Sequence, residues 1–85
     1  MQIENNEKLT ITGNVVVDFE RGIHIKNGTD VVISNNVVEK RGSSAPTMQA
    51  SIKADETNTN VWMIYNIVGR AVVNAGTGAV TLPAS

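Results

Sequence analysis

Eight carboxylates and a single histidine are the side chains of this chain best suited to acid–base or metal chemistry, and it has no cysteine. The acids are Glu4, Glu7, Asp18, Glu20, Asp30, Glu39, Asp55 and Glu56. Glycoside hydrolysis needs two carboxylates facing each other across the scissile bond. Asp18 and Glu20 lie two apart and could share a strand face, but a solvated bend before Gly22 explains them as well. His24 alone cannot build a multi-histidine metal site, and gives a Ser-His-Asp triad only one candidate base. Strand alternation turns it outward between Ile23 and Ile25, as a solvent-exposed or interface residue. Lys26, Lys53 and Arg70 suggest a small basic line. Gly76-Thr77-Gly78 reads as a turn, because no Lys-Ser/Thr pair follows to hold a phosphate. No residue is therefore assigned a catalytic, cofactor-binding or metal-binding role.

What positions these residues is written in the composition. Of 85 residues, 41% are hydrophobic, yet Phe, Tyr and Trp occur once each. Valine and isoleucine carry the apolar content, and branching at Cβ suits strands. Asn, Gly and Thr supply the turns. A net charge of −1 gives no strong attraction to nucleic acid or to an anionic membrane surface. No apolar run approaches the roughly 20 residues of a membrane helix. The first residues, MQIENN, lack the basic and apolar regions of a secretory signal.

Three segments align without gaps: LTITGNVV (Leu9 to Val16), VVISNNVV (Val31 to Val38) and VWMIYNIV (Val61 to Val68). Spacings in the twenties of residues are those of one β-helix coil. The second spacing is longer, and Lys40 to Gln49 (KRGSSAPTMQ) is the insertion, an exposed loop by its Gly, Ser and Pro content. A weaker repeat follows each segment: GIHIK from Gly22, SIKA from Ser51 and AVVN from Ala71. A closing strand, GAVTL, ends at Pro83, ahead of a small-residue tail. The expected fold is all-β: a short right-handed parallel β-helix of about three coils with a closing C-terminal strand, in one domain over residues 1–85.

Alternation points Leu9, Ile11, Val16, Val31, Ile33, Val38, Val61, Met63 and Val68 inward, with Ile23, Ile25, Ile52 and Val72 from the second strand. Asn14, Asn36 and Asn66 share one position in the three segments. Asn tolerates the left-handed or bridge geometry of a sharp bend, and stacked amides can donate to one another along the axis.

With these phrases in hand, the chain resembles the pectate-lyase-like superfamily of parallel β-helices over about Leu9 to Asn74, through LTITGNVV with GIHIKN and VVISNNVV with SIKADE. That superfamily holds pectate and pectin lyases, polygalacturonases, alginate epimerases and bacteriophage tailspikes. The chain looks most like the C-terminal part of a tailspike or tail appendage. The resemblance implies a virion-associated or extracellular structural module, a homotrimer that supports binding of host surface polysaccharide. The superfamily's calcium-binding aspartate motifs are missing around Asp18, Glu20 and Arg21, so no catalytic residue is carried over. Two rival readings are a fragment of a polysaccharide lyase or glycoside hydrolase, and a small carbohydrate-binding domain.

The outward positions give these readings a surface. Thr10, Val32 and Trp62 stack on one outer line, Thr12, Ser34 and Ile64 on the next, and Val15, Val37 and Ile67 on a third. The patch of Val32, Val37, Trp62, Ile64 and Ile67 is too apolar for an uncovered monomer surface. It packs against another copy, is covered by the chain's own insertion or tail, or stacks sugars on Trp62.

Overall fold

A computed structural model describes residues 2–18, 22–40, 50–69 and 71–82. The insertion loop from Arg41 to Gln49, together with Glu20, Arg21, Arg70 and the last three residues, lies outside them. Among the described residues there are eleven β-strands and no helix. The first circuit is β1 (Gln2–Glu4), β2 (Glu7–Thr12) and β3 (Val15–Asp18). The second is β4 (Ile23–Lys26), β5 (Thr29–Ser34) and β6 (Val37–Lys40). The third is β7 (Ile52–Ala54), β8 (Thr59–Ile64) and β9 (Ile67–Val68). Two further strands, β10 (Val72–Asn74) and β11 (Val80–Leu82), begin a fourth.

Every pairing is parallel and joins one circuit to the next. Strands β1, β4, β7 and β10 form sheet 1; β2, β5, β8 and β11 form sheet 2; β3, β6 and β9 form sheet 3. The chain is thus all-β with parallel sheets. The register places Leu9 over Val31 over Val61, and Ile11 over Ile33 over Met63. Ile23, Ile52 and Val72 form another column. The extra residues of the second circuit fall mostly between β6 and β7.

The alternation places Ile11, Ile23, Ile25, Val31, Ile33, Val38, Ile52, Val61 and Met63 in the core, nearly or fully inaccessible to water. Each such burial contributes about 1.5–3 kcal/mol. Leu9, Val16, Val68 and Val72, on the outermost circuits, are only partly covered. Ile3 and Ala54 join the core through a column that runs Ile3, Ile25, Ala54, Asn74.

The sharp bends between sheets 2 and 3 are made differently from the expectation. Asn14, Asn36 and Asn66 are not the left-handed residues; their predecessors Gly13 (φ 68°), Asn35 (φ 54°) and Tyr65 (φ 52°) are. The strain sits one residue earlier, which leaves the following Asn side chain free to hydrogen-bond. A second left-handed column, Lys8, Asp30, Asn60 and Gly78, lies within or just before the sheet 2 strands, and Asn60 Nδ2 donates to Asp30 Oδ1 at 3.1 Å. Between sheets 3 and 1 the circuits approach closely, and a Cβ at Gly22 would lie 2.0 Å from the Ser51 carbonyl oxygen.

A bulky residue in the left-handed region costs about 1–2 kcal/mol. Tyr65 is well exposed and stands where the second circuit has Asn35. Tyr65→Asn is expected to stabilise the fold by about 0.5–1 kcal/mol in urea unfolding; an unchanged or lower midpoint counts against strain at this bend.

Candidate functional site

Two groups of residues stand out: a polar ladder at the corners and an apolar surface outside them. At the bend between sheets 2 and 3, Asn14, Asn36 and Asn66 lie in one column. Asn14 Nδ2 donates to Asn36 Oδ1 at 3.1 Å, and Asn36 Nδ2 donates to Asn66 Oδ1 at 3.0 Å. The same oxygens accept from the Asn14 and Asn36 backbone N–H at 3.0 and 3.1 Å. The second amide hydrogens tie the ladder to the strands, since Asn36 Nδ2 reaches the Ile11 carbonyl at 3.0 Å and Asn66 Nδ2 the Ile33 carbonyl at 2.9 Å. Asn36 is wholly buried, so each lost partner there exposes the desolvation cost of an unmade hydrogen bond.

A second amide is as deeply buried. Asn58 sits at the bend between sheets 1 and 2, where its Oδ1 accepts from the Gly28 N–H at 2.8 Å and its Nδ2 donates to the Ile25 carbonyl at 3.0 Å. The aligned octapeptides stop short of it. Extending them three residues toward the N-terminus lines up Asn6, Gly28, Asn58 and Gly76, an alternation of amide and glycine. The glycines leave room: a Cβ at Gly76 would lie 2.4 Å from the Asn58 carbonyl oxygen.

Beside Asn58, the Asp55 carboxylate accepts hydrogen bonds from the Thr57 N–H, at 3.0 Å, and from the Thr57 hydroxyl. The Thr57 hydroxyl bond does most to hold the Asp55 carboxyl below its ordinary range; partial burial opposes it, and the Thr57 N–H, Lys26 and His24 add to it. Thr57 Oγ1 in turn accepts from the Asn27 N–H at 2.9 Å, joining this turn to the circuit before.

The chemistry-bearing residues are scattered. His24 is buried within the chain, so of the two expected settings, solvent-exposed or interface, the solvent-exposed one is corrected. Alternation gives the direction of a side chain from its strand, but says nothing of what lies over it. Lys53 is in register with His24, whereas Lys26 is in register with Glu4, so the two lysines do not form one basic line. Glu39 is exposed on β6, opposite Val17. Asp18 lies at the end of β3, and its candidate partner Glu20 is outside the described residues. Among the described residues no three His, Asp or Glu side chains converge where they could hold a metal ion.

The apolar surface wraps the corner between sheets 2 and 3. On sheet 2, Val32, Trp62 and Val80 follow Thr10 in one line, and Ile64 and Leu82 follow Thr12 and Ser34 in the next. Around the bend come Tyr65 and then Ile67, in line with Val37 and Val15 on sheet 3. Trp62 is 45% exposed, Ile67 and Val15 69% and Tyr65 64%, which leaves large apolar groups in water. Val32, Val37 and Ile64 are half-buried. A shallow depression on sheet 3 is lined by Val37, Val38, Glu39, Ile67, Val68 and Gly69. The outer positions of sheet 1 are instead Gln2, Glu4, His24, Lys26, Lys53 and Val73.

Compared with known protein families, curated proteins and solved structures, the chain matches none.

Asn36→Ala is expected to cost about 3 kcal/mol, and Asn14→Ala, at the partly exposed end of the ladder, about 1 kcal/mol. Equal costs in urea unfolding would mean that the ladder does not set the energetics of this bend. Asp55 has a lowered folded-state pKa, so its contribution is fully present above the ordinary carboxylate value and is lost as pH falls through the folded one. Stability should therefore decline below about pH 4, and Asp55→Asn should flatten part of that decline in acid titrations followed by circular dichroism.

Proposed function

We propose that the chain is a stretch of right-handed parallel β-helix serving as a structural and assembly module, and that it forms a homotrimer through the corner between sheets 2 and 3. The cyclic visiting order of three parallel sheets supports the helix, and a right-handed crossover is the rule for parallel strands. The exposed row of Trp62, Tyr65 and Ile67 carries the assembly reading, because soluble monomers rarely leave so continuous an apolar surface in water. The patch wraps a corner. A corner aimed at a common axis closes by cyclic symmetry, each copy burying the two faces that meet there. The charged outer positions of sheet 1 then remain on the outside.

In keeping with the resemblance to tailspikes, the trimer is read as a virion-associated or extracellular stem that supports binding of host surface polysaccharide. The exposed Trp62 ring favours one rival, in which the same surface stacks directly on sugar.

Light scattering on the purified chain at micromolar concentration is expected to give a trimer-based mass. Joint Trp62→Ala and Ile67→Ser substitution should abolish the threefold contact. A wild-type monomer would overturn the assembly reading. Retained mass with lost polysaccharide affinity in Trp62→Ala would favour sugar stacking.

A further inference from the structure

The bend between sheets 1 and 2 carries a residue pair with latent chemistry. Asn27 is followed by Gly28, and no other asparagine of the chain is followed by glycine. A backbone nitrogen next to an asparagine can attack the side-chain carboxamide and close a cyclic imide. Glycine permits this best, because it has no Cβ to crowd the nitrogen. Asn27 is exposed and left-handed, with φ 51°, and among the described residues its side-chain amide makes no hydrogen bond.

The folded chain keeps the two reacting groups apart. The Gly28 N–H donates to the buried Asn58 Oδ1 at 2.8 Å, and the Gly28 carbonyl accepts from the Thr59 N–H at 2.8 Å. The Asn27 N–H donates to Thr57 Oγ1 at 2.9 Å. All three partners belong to the third circuit, at the bend between β7 and β8. Gly28 is itself buried, and a Cβ there would lie 3.0 Å from methyl groups of Ile25 and Val31. Its nitrogen therefore cannot turn toward the Asn27 carboxamide while the third circuit stays stacked on the second.

We propose that Asn27–Gly28 is a self-modification site held off by Asn58. When the bend opens locally, hydroxide takes the Gly28 amide proton and the nitrogen attacks Asn27 Cγ. The N–Cγ bond forms, the Cγ–Nδ2 bond breaks, and Nδ2 leaves as ammonia with a proton from water. Water then opens the imide at either carbonyl, leaving aspartate or isoaspartate at position 27. Isoaspartate adds a methylene to the main chain. The consecutive N–H groups of residues 27 and 28 then no longer meet Thr57 and Asn58 together, so the third circuit cannot restack in register. Opening of that circuit is thereby fixed as a covalent break in the stack. Neither Trp62 nor Ile67 takes part, so the site is independent of the assembly proposed above.

Peptide mapping by mass spectrometry at mildly alkaline pH, with enzymatic methylation to detect isoaspartate, tests it. The urea-unfolded wild type should convert at Asn27, and the folded wild type at least about tenfold more slowly, the factor that one buried hydrogen bond supplies. Asn58→Ala should raise the folded-state rate about tenfold. Asn36→Ala removes an equally buried amide at the other bend and should stay near the wild-type rate, under conditions where circular dichroism shows both variants folded. The wild type supplies a second test that needs no substitution: conversion at Asn27 should follow hydrogen exchange of the Gly28 amide across sub-denaturing urea. A folded wild type that converts as fast as the unfolded chain, conversion that does not follow Gly28 exchange, or equal rates in the two folded variants would overturn the proposal.

Discussion

Register between successive circuits is the constraint on which the rest of this structure depends. Parallel pairing sets Ile over Ile and Val over Val, so one set of side chains fills a column from circuit to circuit. Hydrophobic burial alone does not fix that register. A slip by one residue along a strand would exchange the faces, and a slip by two would keep them. The corner amides resolve the ambiguity. Asn36 satisfies its amide hydrogens with the Ile11 carbonyl and Asn66 Oδ1, and its own Oδ1 with the Asn14 amide, only at their observed places. Asn58 does the same at another bend, with Gly28 and Ile25. Buried polar groups thus specify the alignment, and the aliphatic columns supply most of the driving force.

The corners also decide what the outside of the molecule can do. Because the bends fall at fixed places, each outer line belongs to one sheet, and the three sheets differ in character. Sheet 1 shows Gln2, Glu4, Lys26 and Lys53, while sheets 2 and 3 show Trp62, Ile64 and Ile67. The apolar character grows along the stack, from Thr10 to Val32 to Trp62 and from Thr12 to Ser34 to Ile64 to Leu82. Among the described residues the charged and polar side chains are spread over separate lines and turns.

Much of this was legible in the residues. Three octapeptides aligned without gaps carry the columns of sheets 2 and 3, because a parallel stack repeats like positions and period-two alternation marks the inner face. The weaker repeat at Ile23, Ile52 and Val72 carries sheet 1. The rest depends on the three-dimensional fold, for physical reasons. Strand β1 has three residues and only one apolar one, Ile3, too little to show a period. Asn58 recurs as Gly28 and Gly76, so its column reads as unlike residues until the tight approach at each glycine is known. The bends transfer their strain to Gly13, Asn35 and Tyr65, three residues with nothing in common except a positive φ. His24 shows the limit of alternation most clearly, since an outward direction on β4 did not mean exposure.

The most direct measurement of the stacking itself is a nuclear Overhauser spectrum of the isotope-labelled chain. Stacking in register requires contacts from the Asn36 side-chain amide to both Asn14 and Asn66, and from Ile33 methyl groups to both Ile11 and Met63. Cross-peaks that pair these segments in antiparallel order, or an Asn36 amide with neither neighbour, would contradict it.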